Sequence, residues 1–190
     1  TSSDENENGI PDDQEADSSV DLNDDGIPDV NQPDVIKCVE AVNGNGQIGV
    51  VGGQNVASIE SVKAVDADII ANKPADMPLG LVSFKLKLSD PNNRGAKVDI
   101  YLSSAAANDE WWKYDSINGW QDFSASAVFN AGRTVVTLTL EDGGFGDADG
   151  SVNGIIVDPS GPAALASSPP PAGGDGGGGG GCFIATSIVR

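Results

Sequence analysis

Residues 80–90 read GLVSFKLKLSD, so Val82, Phe84, Leu86 and Leu88 alternate with Ser83, Lys85 and Lys87. Successive side chains of an extended chain point to opposite faces, and this period of two predicts a half-buried β-strand. AKVDIYLS repeats the pattern with Val98, Ile100 and Leu102, and RTVVTLTLE with Val136, Leu138 and Leu140. DPNNRG and INGW supply turn residues between strands. QIGVVG, NVASIESVKAVD, EWWKYD, GWQDFS and NGIIVD predict further strands. The apolar spacing of IESVKAVDADIIAN also fits a helix, but its Val and Ile content and the nearby Pro74 and Pro78 favour a strand followed by a loop. Short strands at regular spacing predict an all-β fold, an antiparallel β-sandwich over residues 34–164, with room for a sizeable core.

Residues 1–33 carry no such alternation. They hold eleven acidic side chains and neither Lys nor Arg, and one phrase occurs twice, DENENGIPDDQE at 4–15 and DLNDDGIPDVNQ at 21–32. Alternate oxygen donors, a Gly at position 6 and a donor at position 12 are the order of a calcium loop. In the first copy the donors are Asp4, Asn6, Asn8, the Ile10 carbonyl, Asp12 and Glu15; in the second they are Asp21, Asn23, Asp25, the Ile27 carbonyl, Asp29 and Gln32. Glu15 can bind through two oxygens and Gln32 through one. Pro11 and Pro28 follow the loop centres and no amphipathic helix flanks either copy, which speaks against an EF-hand pair. Magnesium fits less well, because it keeps more water and takes fewer protein ligands. The alternative is an acidic disordered tail, for which repetition of Gly-Ile-Pro-Asp in register has no reason.

Tandem Asp-rich loops with a GIPD core and no helices resemble thrombospondin type 3 repeats and the related calcium repeats of bacterial surface proteins. The resemblance implies a chain that wraps around its ions, with Ca2+ standing where a hydrophobic core would be.

The whole chain has a formal charge of −19 and no His. Imidazole-dependent catalysis and metal sites are excluded, and nucleic acid and anionic lipid are expected to be repelled. The two cysteines, Cys38 and Cys182, form no CxxC, so zinc and thioredoxin-like chemistry have no support. Weak calcium loops suit the calcium-rich exterior of a cell. The sequence shows no signal peptide or transmembrane run, which is read as the mark of a mature, processed product.

The string DGGFGDADGSVNGIIVDPSGPA, residues 142–163, is the most distinctive in the chain. With the upstream GLVSFKLKLSD, VDIYLS and WWKYD it resembles the bacterial choice-of-anchor U domain over roughly residues 50–163. The resemblance implies an exported surface protein without an assigned enzymatic activity. Asp147, Asp149, Asn153 and Asp158 in this string are either a third calcium site or turns closed by Asx hydrogen bonds.

Residues 165–181 are a Pro-rich and then Gly-rich spacer, and 182–190 read CFIATSIVR. A glycine run ending in CFIAT is similar to C-terminal tails of bacterial exported proteins; Ser187 and Arg190 depart from that pattern, and anchoring of the tail in a membrane stays open. Residues 183–189 are apolar and β-branched, suited to strand donation into the sheet of a neighbouring copy. Head-to-tail donation that does not close yields a fibre, whereas return of the tail to its own sandwich yields a monomer. An oxidising exterior predicts a Cys38–Cys182 disulfide, within one chain or between neighbours, with lipidation of Cys182 as the alternative.

No GxSxG or SxxK string is present and no pair of carboxylates stands out, so no enzyme is expected. Trp111, Trp112, Tyr114 and Trp120 offer either a sugar platform or core packing; in EWWKYD, Trp111 faces opposite to Trp112 and Tyr114. The reading is a calcium-stabilised, non-enzymatic extracellular structural subunit of a bacterial surface. A monomeric adhesin or glycan-binding module is the alternative.

Overall fold

The computed structural model describes residues 3–164 apart from 43, 75 and 109. In chain order these form β1 (Ile36–Glu40), β2 (Gln47–Gly52), β3 (Val56–Val65), β4 (Leu81–Leu88), β5 (Gly95–Leu102), β6 (Glu110–Asp115), β7 (Gly119–Asp122), β8 (Ala127–Phe129), β9 (Val135–Glu141) and β10 (Ile155–Ala163). One sheet has the order β1-β2-β5-β9-β8 and the other β3-β4-β10-β6-β7, with antiparallel neighbours throughout. The chain is therefore an all-β sandwich of two five-stranded sheets.

The alternating runs fill the space between the sheets. Val82, Phe84, Leu86 and Leu88 of β4 meet Val98, Ile100 and Leu102 of β5 and Val136, Leu138 and Leu140 of β9 in one core. The ambiguous segment after residue 59 continues β3 to Val65 and then makes a single 3-10 turn at Ala67–Ile69, whose start is capped by the Asp66 carboxylate on the Asp68 N–H at 2.8 Å. A second cluster lies outside this core, where Ala67, Met77, Leu81 and Ala163 pack with Trp112, Tyr114 and Trp120.

β1 and β8 carry no legible alternation. In β1 four successive residues, Ile36 to Val39, are buried, because both faces of the strand are covered. β8 is three residues long, too short to show a period. β10 runs through Pro159 and Pro162 although it is central in its sheet. Residues 155–160 pair with β4 and residues 160–163 with β6, so each proline sits where only one neighbour is bonded and its missing N–H can face the other side.

Candidate metal-binding loops

The two acidic phrases share one backbone. Position 4 is left-handed in both (Glu7 φ 54°, Asp24 φ 56°), as is the Gly at position 6 (Gly9 φ 84°, Gly26 φ 87°). The prolines at position 8 match as well, Pro11 at φ −60°, ψ 135° and Pro28 at φ −56°, ψ 136°, and a 3-10 turn follows each. Such agreement needs the same internal contacts. The carboxylate at position 1 accepts two backbone N–H groups in each loop: Asp4 from Asn8 and Gly9 at 3.1 and 3.0 Å, Asp21 from Asp25 and Gly26 at 3.2 and 2.9 Å. Position 3 accepts from the N–H of position 5, and position 5 from that of position 7, through Asn6 and Asn8 in the first copy and Asn23 and Asp25 in the second.

These bonds draw the remaining oxygens toward the centre of each loop. Glu15 Oε1 accepts the amide groups of Asn6 and Asn8 at 2.7 and 3.0 Å. In the second loop the Gln32 amide donates to the Ile27 carbonyl at 3.2 Å, and the Asn23 amide to Asp25 at 3.2 Å. Amide hydrogens here meet oxygens that a hard cation would hold, and rotation of an Asn or Gln amide presents its oxygen instead. Asp4, Asn6, Asn8, Ile10 and Glu15, and Asp21, Asn23, Asp25, Ile27 and Gln32, thus form two all-oxygen donor sets that suit calcium. Among the described residues no three Asp, Glu, Cys or His side chains converge, so each set relies on amide and carbonyl oxygens beside its carboxylates.

Position 9, which the sequence also places among the ligands, closes each loop in this structure. Asp12 accepts the Ser3 hydroxyl at 2.7 Å and the Glu5 N–H at 3.0 Å. Asp29 takes the Leu22 N–H on both oxygens, at 3.3 and 3.2 Å, and is buried. Both carboxylates tie the exit of a loop to its entrance. Burial pushes the Asp29 carboxyl above its ordinary range, although the Leu22 N–H and the Cys38 thiol favour its charged form.

The loops are bound to the sandwich at its β1 and β3 edges. The Gly9 carbonyl accepts the Val62 N–H at 2.8 Å, Gln14 bonds both backbone groups of Ala64, and Glu15 bridges to Val39. Ile10 enters the main core, and the buried Lys37 ammonium donates to the Asn8 carbonyl. The second loop lies on the outer face of β1 and β2, where the bare Gly49 leaves room for Ile36 and Leu22: a Cβ there would stand 2.6 Å from one and 3.2 Å from the other. An edge that would otherwise expose free N–H and C=O groups is covered.

The two loop glycines separate strain from docking. A methyl at Gly9 would meet the left-handed strain and also drive into the Glu60 backbone, whereas at Gly26 nothing lies within 4 Å. Gly26→Ala is expected to cost about 1–2 kcal/mol of local strain. Gly9→Ala should cost more and release the first loop from β3, read as faster hydrogen exchange at Val62 and Ala64. Equal exchange in the two variants would contradict the docking.

The third acidic cluster is built of turns. Asp147 accepts N–H groups of Gly143 and Val157 at 2.8 and 3.1 Å, Asp149 that of Ser151 at 2.8 Å, and Asn153 that of Ile155 at 2.8 Å. Asp142, absent from the sequence-based set, is fully buried and closes the segment on the Asn153 and Gly154 N–H groups at 3.2 and 2.9 Å. Asp158 points between the sheets, where its Oδ2 meets Lys113 Nζ at 2.7 Å. Lys113 was not singled out by sequence, since a Lys at an inward strand position is expected to be read as a solvent-facing break in the pattern.

Cys38 is a buried thiol beside Asp29, and burial followed by the Asp29 charge pushes its pKa far up. Cys182, the spacer and residues 183–189, expected from the sequence to donate a strand, lie outside the described residues. Trp111 is in the main core, edge-on to Phe129 at 6.1 Å; Trp112, Tyr114 and Trp120 are half-buried, and Trp120 donates to the Ala71 carbonyl at 3.0 Å. Among the described residues no helix is long and apolar enough to cross a membrane.

Fold and site together define a β-sandwich edged by two tandem all-oxygen loops. The chain matches no family model, and neither a curated protein nor a solved structure matches it.

Proposed function

We propose that this is a non-enzymatic, calcium-stabilised extracellular surface protein of a bacterium, serving as a structural subunit of an extracellular assembly. The observation that carries the reading is the shared geometry of the two loops and their attachment to the β1 and β3 edges. Asp4, Asn6, Asn8, Ile10 and Glu15 would hold one calcium ion, and Asp21, Asn23, Asp25, Ile27 and Gln32 another. Bound charge offsets the repulsion among eleven acids with no basic side chain in the same segment. The loops then act as a clasp on the sandwich edge.

β7 and β8 end the opposite sides of the two sheets, and Val128 on β8 is 69% exposed. An apolar segment such as 183–189 of a neighbouring copy has a short edge to pair with there, and repetition of that contact builds a fibre. In this reading a Cys38–Cys182 disulfide requires the second loop to lift from β1, because Cys38 lies against Asp29. Light scattering with and without EDTA tests the assembly: calcium-dependent large particles support it, and a monodisperse monomer under both conditions contradicts it.

The monomeric glycan-binding reading is favoured by one feature. A groove of about 490 Å³ is lined by Asn92, Asn93, Arg94, Glu141, Phe123 and Phe145, with Phe145 exposed and stacked on Phe123 at 5.5 Å. Polar side chains beside an aromatic face suit a sugar. Glycan-array binding lost in Phe145→Ala would support it.

Asp21→Ala is expected to weaken calcium binding far more than Asp24→Ala. Asp21 organises its loop through two backbone N–H groups, whereas Asp24 occupies the left-handed position 4, which is not a ligand position. Isothermal titration checks this; equal losses would mean that only bulk charge attracts the ion.

A further inference from the structure

We propose that Lys113 and Asp158 condense to an amide, an intramolecular isopeptide bond joining β6 to β10. The two residues lie on adjacent antiparallel strands, Lys113 opposite Ser160 and Asp158 one inward position further along β10. Their side chains are 2% and 0% exposed, and Nζ stands 2.7 Å from Oδ2. The ammonium lies 4.3 Å from the centre of the Phe123 ring. Gly146 covers it from above, so closely that a Cβ there would be 2.6 Å from Nζ. The acidic turn segment around Gly146 is thus a lid, and its glycine is the residue that lets the lid descend onto the amine.

An ordinary buried ion pair survives by satisfying its remaining lone pairs. Here Asp158 Oδ1 and the Ser160 hydroxyl are both buried without a hydrogen bond of normal geometry, although the hydroxyl is near enough to favour the charged carboxylate. Burial acts on both partners in the direction that condensation needs. It lowers the Lys113 pKa toward the neutral amine, against the attraction of Asp158, Asp147 and Asp115, and it raises that of Asp158 toward the neutral acid, against Lys113. Exclusion of water removes the competing hydration, and fixed contact supplies the proximity that free amines and acids lack.

The step balances without a further reagent. A proton crosses the Nζ–Oδ2 hydrogen bond to give a neutral amine and a carboxylic acid. The nitrogen lone pair attacks Cγ and forms the C–N bond. A second Nζ proton passes to the departing Oδ2, the oxygen that Nζ already contacts; the C–O bond breaks and one water leaves. Nothing is oxidised or reduced. The product joins residues 45 apart in sequence and replaces two buried charges with one neutral amide.

The test is the intact mass of the full-length, reduced protein, with its fold verified by circular dichroism. The expected mass is one water below that of the sequence. Fragmentation should yield a branched peptide joining positions 113 and 158, and Lys113→Arg should restore the full mass. Folded wild-type protein at the full sequence mass would overturn the proposal. So would a water loss that persists in Lys113→Arg, because that loss belongs to a succinimide at an Asp-Gly step such as Asp25-Gly26, Asp142-Gly143 or Asp149-Gly150.

Discussion

Trp111→Ala is expected to destabilise the sandwich by about 3–5 kcal/mol, the range for emptying a buried aromatic site. Trp111 is fully buried, belongs to the core shared by both sheets, and meets the Phe129 ring of β8 edge-on. Its loss would leave a cavity and also loosen a short strand that has little else to hold it. Trp112→Ala removes a half-buried ring from the outer cluster and should cost distinctly less. Urea unfolding of the two variants checks the difference; equal losses would mean that the two faces of β6 are not divided between core and surface.

Relative to Lys113→Arg, which keeps the charge but forms no amide, Lys113→Met should be destabilising by a similar amount, about 3–5 kcal/mol, because it strands the Asp158 carboxylate inside the sandwich without its partner. Lys113→Met with Asp158→Leu is expected to recover much of that loss, since neither charge is then left alone. Chemical denaturation of the single and double variants gives the coupling between the positions. A double variant no better than the sum of the single ones would show that the pair is not the reason for the loss.

The sandwich was legible wherever a strand has one wet face. β4, β5 and β9 alternate cleanly because each presents one row of side chains to the core. β1 was not, because the N-terminal loops cover its second face and four successive residues are buried. The far half of β10 was hidden by Pro159 and Pro162, which are admissible only because the strand changes partners at Ser160. That exchange is a property of the sheet and has no local signature.

The loops show a similar division. The repeat of Asp, Asn and Gly at fixed spacing predicted two copies of one loop, and the matching dihedrals at Glu7 and Asp24 agree with it. Their attachment was not legible, since it depends on Gly9 against β3, Gln14 against Ala64 and Leu22 over Gly49. Lys113 escaped for the opposite reason: its meaning comes entirely from Asp158, 45 residues away.

The most direct test of the central claim is calcium titration by calorimetry, combined with hydrogen exchange with and without EDTA. The account predicts saturable binding in the range of about 0.1–1 mM, typical of extracellular loops. It also predicts calcium-dependent protection of Asn8, Gly9, Asp25 and Gly26, whose N–H groups are held by Asp4 and Asp21, together with Val62 on the covered edge. Protection within β4, β5 and β9 should remain when the ion is removed. No heat of binding at millimolar calcium, with identical exchange of residues 4–32 in its presence and absence, would contradict it.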